Sequence, residues 1–80
     1  MQRLINAGRK TVGTKQTLKL VESGRAEVVF VANDAEERVT SQLLDLCKEN
    51  CIEVVHVDSM QELGKACGIK VGAATAAIPK

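Results

Sequence analysis

Apolar and polar positions follow two alternating rhythms along the chain. Leu4 and Ile5 are the apolar positions of a short helix over 1–8, ending near Gly8. Residues 10–13 suit a short strand. Thr14 is placed as N-cap of a helix over 14–23, with Leu18 and Val21 inward and Gly24 as the stop. The run EVVFVA at 27–32 is dense in β-branched residues and predicts a strand covered on both faces. Asn33-Asp34 supply turn and capping chemistry. Val39, Leu43, Leu46 and Cys47 recur at helical spacing and predict a helix over 36–50 that packs on the core. A third long strand is expected over 52–57. Asp58-Ser59 then cap a helix over 60–67, closed by Gly68. The run GAATAAI at 72–78 predicts a strand of small residues that helices can approach closely.

Helix and strand alternate throughout, which predicts an α/β protein: a three-layer α/β/α sandwich around one sheet. The 80 residues suit one domain, spanning 1–80, with an economical core. No internal repeat or domain boundary is visible.

Composition removes whole classes. With 45% apolar and 26% charged residues the chain is globular and not a disordered tail. Phe30 is the only aromatic residue, which disfavours modules that stack several bases on exposed rings. The opening MQRLINAGRK lacks the apolar run of a secretory leader, and no stretch approaches the length of a membrane span. Cys47, Cys51 and Cys67 have no disulfide-framework spacing, nor the paired knuckles of a zinc site. They are expected to be reduced, buried structural thiols in a cytoplasmic protein.

The net charge of +1 hides a strong segregation. Residues 1–20 carry Arg3, Arg9, Lys10, Lys15 and Lys19 and no acid. Residues 63–80 carry Lys65, Lys70 and Lys80 and again no acid. All ten acids lie between, against only Arg25, Arg38 and Lys48. If the two ends meet, the protein has one basic face suited to phosphates and one acidic face.

Two segments break local rules. In Gly13-Thr14-Lys15-Gln16-Thr17-Leu18-Lys19, Lys15 sits in the first helical turn, where the macrodipole disfavours cations. Lys15 and Lys19 also repel at a spacing of four. A helix start that binds phosphate and base edges accounts for this, because free N–H groups, two cations and an amide converge there. Taken alone, the segment is better read as an ordinary solvated helix start with Thr14 as cap. In the second segment, Ile69 and Val71 flank Lys70 between Gly68 and Gly72. They either tuck into the core or form an apolar pad for a flipped-out base.

Together, GTKQTLK at 13–19, VVFVANDA at 28–35 and LGKACGIKVGAATAAI at 63–78 resemble the kink-turn-binding ribosomal proteins of the L-seven-Ae superfamily, most closely its small bacterial YbxF-like branch. The resemblance covers nearly all of 5–78. It implies a mixed four-stranded sheet with the last strand beside the first. It also implies an RNA target, the kink-turn, in which a bulge of unpaired nucleotides precedes tandem sheared G·A pairs. By this resemblance Gly13, Thr14, Lys15, Gln16 and Lys19 match the positions that enter the groove at those pairs. Ile69, Lys70 and Val71 match the loop that covers the bulge. Archaeal and eukaryal members usually have Asn-Glu where this chain has Lys15-Gln16. The change replaces an acid with an amide and adds a cation able to donate to guanine O6 and N7. The implied partner is ribosomal RNA, a riboswitch or another leader RNA, bound by a monomer. No cofactor is implied.

An enzyme is not expected. His56, the single histidine, lies within the strand pattern IEVVHVD, and no nucleophile has a recognisable base partner. Gly13-Thr14-Lys15 lacks the upstream glycine of a nucleotide-binding phosphate loop. The alternative function is a protein–protein adaptor on a ribosomal or ribonucleoprotein particle.

Overall fold

The computed structural model describes residues 2–80; Met1, expected to open the first helix, lies outside the described residues. The elements are α1 (Gln2–Asn6), β1 (Thr11–Val12), α2 (Thr14–Glu22), β2 (Ala26–Ala32), α3 (Glu37–Glu49), β3 (Glu53–Val57), α4 (Met60–Cys67) and β4 (Thr75–Pro79). The strands form one four-stranded sheet in the order β1-β4-β2-β3. β4 runs antiparallel to both neighbours, and β2 and β3 are parallel. The mixed sheet expected from the sequence is therefore present, with the last strand beside the first. That pairing brings the two acid-free ends of the chain together.

Alternation along β2 builds both cores. Val28, Phe30 and Ala32 face one side, where Leu4 of α1 and Leu63 and Ala66 of α4 cover them. Val29 and Val31 face the other, against Val21 of α2 and Leu43 and Cys47 of α3. Each fully buried Val, Leu or Phe contributes about 1.5–3 kcal/mol. Ala26 breaks the parity by lying with Val29 and Val31. The ladder with β4 shifts register between Ala26 and Val28, so Glu27 is the extra residue of a bulge.

Several boundaries differ from expectation. β1 is two residues long, and β4 begins at Thr75 instead of Gly72. Residues 72–74 are held by contacts outside the ladder, described below. Thr14 is not the N-cap of α2; it is the first helical residue, and Gly13 occupies the cap. Asp34, expected to act locally, accepts instead from the Met60 amide at 2.8 Å and so caps α4 across 26 residues of chain. Ser59 caps the same helix as expected, accepting from Glu62 N at 3.1 Å.

Candidate functional site

α2 begins where β1 ends, and Gly13 makes that junction. Its φ of 94° and ψ of 155° lie in a region open essentially only to glycine. Its amide donates to the Thr75 carbonyl at 2.9 Å, extending the β1–β4 ladder by one bond. Its carbonyl accepts from Thr17 N at 3.1 Å. Thr17 is fully buried, and its hydroxyl lies 3.2 Å from that of Thr11 on β1, which pins the first turn to the sheet. The N–H groups of residues 14–16 have no intrahelical acceptor, and no side chain caps them. Lys15, Gln16 and Lys19 are exposed on this turn and the next, and Thr14 is half-buried. Together they present free amides, two cations and one carboxamide, the donors that hold a phosphate or the acceptor edge of a base.

The second segment runs back along α4. The helix ends in a Schellman turn: Gly68 has φ of 80°, its amide donates to Lys65 O, and Ile69 N donates to Gly64 O, both at 3.0 Å. The loop backbone then lies directly on the helix. A Cβ at Gly64 would overlap the Val71 carbonyl oxygen and come within 3.2 Å of the Gly72 Cα. A Cβ at Gly72 would stand 3.1 Å from the Met60 Cβ. Ala73 N donates to Met60 O at 3.0 Å, and Ala74 O accepts from Ala32 N at 2.9 Å. A loop without regular structure is thus tied by hydrogen bonds at Ile69, Ala73 and Ala74 and packs closely on α4 at Val71 and Gly72. It leaves Lys70 exposed and Val71 71% exposed.

The two apolar residues of this loop part company. Ile69 is half-buried and packs on the core beside α4. Val71 faces solvent. Core burial, one of the two alternatives left open by the sequence, therefore holds for Ile69 and not for Val71. Gly64 and Gly72 are the residues whose part the sequence reading missed. Their recurrence was visible, but the close approach they permit depends on where the loop lies.

The site's two parts meet at Thr75, which carries the Gly13 hydrogen bond and immediately follows the fastened loop. Lys10, just ahead of β1, adds charge near the end of α4. Burial pushes the Cys67 thiol up, with the Lys10 ammonium acting against it. Acids dominate elsewhere on this end of the sheet, at Asp34, Glu36, Glu37 and Asp58. Among the described residues no helix is long and apolar enough to cross a membrane.

Comparison with known proteins accords with this architecture. The chain matches, over residues 1–80, the family described as Ribosomal protein L7Ae/L30e/S12e/Gadd45. It is 49% identical over 69 residues to an RNA-binding protein of Caldanaerobacter subterraneus, covering 86% of this chain and 84% of that protein. It is 42% identical over 77 residues to RNA-binding protein YbxF of Geobacillus stearothermophilus, covering 96% and 94%. Among solved structures, the Giardia lamblia 15.5kD RNA binding protein superposes with a TM-score of 0.83 at 32% identity, covering 89% of this chain and 60% of that one. The chain belongs to this family of ribosomal-type, non-enzymatic proteins.

Proposed function

We propose that this protein binds RNA and recognises the kink-turn, holding the RNA in its bent form. The observation that supports the reading is the Gly13–Thr75 hydrogen bond, which ties the start of α2 to the strand that follows the 69–74 loop. A straight RNA duplex keeps every base paired and stacked, with a deep, narrow major groove and a shallow minor one. A kink-turn offers a groove at its sheared G·A pairs and, beside it, a splayed bulge, so two adjoining protein surfaces suit it.

Lys15 and Gln16 read base edges at the G·A pairs: the ammonium donates to guanine O6 and N7, and the carboxamide both donates and accepts. The free amides at 14–16 and the Lys19 ammonium hold backbone phosphates. Gly13 and Thr14 allow close approach at the turn. Lys70 adds charge at the bulge, and Val71 offers apolar contact to an exposed base or sugar. Ile69 takes part from below, anchoring the loop on the core. The RNA-binding names of the bacterial relatives support the RNA partner. The protein acts as a cytoplasmic monomer on ribosomal RNA, a riboswitch or a leader RNA.

Retention of a kink-turn RNA by the purified protein, set against a plain duplex of equal length over a salt series, tests the reading. Selective retention that weakens with salt supports it. Equal retention of both RNAs contradicts it.

A further inference from the structure

The edge of the sheet farthest from α2 is open. β3 is the outermost strand on that side, with no partner beyond it among the described residues. Such an edge presents unpaired N–H and C=O groups, a template for strand addition. Beside it lies a cavity of about 240 Å³, between the first turns of α3 and the C-terminal ends of β2 and β3. Val31, Ala35 and Leu44 give it an apolar wall, and Glu37, Thr40 and His56 a polar rim. The Thr40 hydroxyl turns back to the carbonyls of Glu36 and Glu37 at 3.4 Å. The Glu37 carboxylate is exposed and has no ion pair among the described residues.

Charge decides what suits this site. Asp34, Glu36, Glu37 and Asp58 cluster at this end of β2 and β3, against Arg38 alone, which sits 3.9 Å from Glu36. Glu36 and Glu37 also answer the positive end of the α3 dipole. The field repels phosphate, so this is not a second RNA surface; it favours a cation on an apolar stem.

We propose that β3 and this cavity form a docking site for an extended basic segment of a partner protein. The segment's main chain pairs along the free edge of β3. One Arg or Lys side chain fills the cavity, its stem against Val31, Ala35 and Leu44 and its head at Glu37. His56 shares the α3 face of the sheet with Val54, so a long side chain beside it in an added strand enters the cavity that His56 lines. The site lies at the opposite edge of the sheet from β1, so occupancy leaves the α2 surface free.

Titration of the full chain into a fluorescent, alternating Arg-Val peptide, followed by anisotropy, tests this, with a Glu-Val peptide as control. The Arg-Val peptide binds and the Glu-Val peptide does not. Hydrogen exchange slows in β3. Glu37→Gln, at an exposed position, weakens binding about tenfold, while Lys15→Ala leaves it unchanged. Absence of binding, indifference to Glu37→Gln, or protection away from β3 overturns the proposal. So does concentration-dependent dimerisation that protects β3 without peptide, because the occupant is then a second copy of this chain.

Discussion

The amide of Gly13 donates to the carbonyl of Thr75 across 2.9 Å, joining the first turn of α2 to the strand that follows the Lys70–Val71 loop. The bond needs the Gly13 backbone where other residues do not go, at φ 94° and ψ 155°. No atom lies within 4 Å of a Cβ built there, so the cost of a side chain is conformational and not steric. Gly13→Ala is expected to lower stability by about 1–3 kcal/mol and to weaken RNA binding further by tilting the helix start. Urea denaturation and RNA titration of the same variant separate the two effects.

Gly64 makes the opposite case, with an ordinary backbone and no room. Gly64→Ala drives a methyl into the Val71 carbonyl. The loop must lift or the helix must shift, at about 1–3 kcal/mol. Gly8, with nothing within 4 Å of its Cβ position, is the control at which alanine is tolerated. Thermal melts of the two variants are expected to differ in that order.

How far the sequence revealed this site varies residue by residue. β2 and α3 were readable because long apolar runs and helical spacing report burial directly. The family resemblance implies only that β4 lies beside β1; the rest of the order β1-β4-β2-β3 is not legible, because no periodicity encodes which strands are neighbours. Thr14 looks like a cap because hydroxyl residues usually are, but here the backbone turn at Gly13 takes that place. β4 starts later than the run of small residues suggests, because Gly72 and Ala73 lie against α4 at Met60 and Ala74 meets Ala32 of β2. Asp34 was readable as a capping residue, but its helix lies 26 residues away. Ile69 and Val71 are alike in sequence, and only the Schellman turn at Gly68 decides which one is buried.

Cys51 occupies the left-handed position after α3, with φ of 55°, the only non-glycine residue among those described with positive φ. Its amide and that of Ile52 close a Schellman pattern onto Lys48 O and Cys47 O. Glycine suits this place better. Cys51→Gly is expected to stabilise the protein by about 0.5–1 kcal/mol, the relief of left-handed strain less the entropy glycine adds to the unfolded chain. Of the three cysteines expected to be buried, only Cys47 is, and burial pushes its thiol up; Cys67 is half-buried and Cys51 exposed, because it follows α3 at the surface. Iodoacetamide at mildly alkaline pH should therefore label Cys51 first, as peptide mapping would show.

Charge and shape are separable at the RNA surface. Lys19→Ala is expected to reduce the salt dependence of binding by about one unit of slope. Lys15→Ala and Gln16→Ala should each cost about 1–3 kcal/mol on kinked RNA and much less on a duplex. Val71→Ser should weaken binding with little change of slope and leave the fold intact, because Val71 is exposed. Ile69→Ser is a poorer probe, since it also disturbs the core beside α4. Equal losses on kinked and straight RNA would leave these residues only a charge role.

Binding and bending should be one event, because a protein that fits only the kinked form draws the RNA population toward it. The shift is bounded by the protein's preference for kinked over straight RNA. Fluorescence energy transfer between dyes on the two arms of a kink-turn RNA, titrated with wild type and Val71→Ser in low divalent salt, measures both together. The account predicts that transfer rises in step with binding, and that Val71→Ser needs more protein to reach the same bend. Tight binding with the arms still at their free-state separation would contradict it.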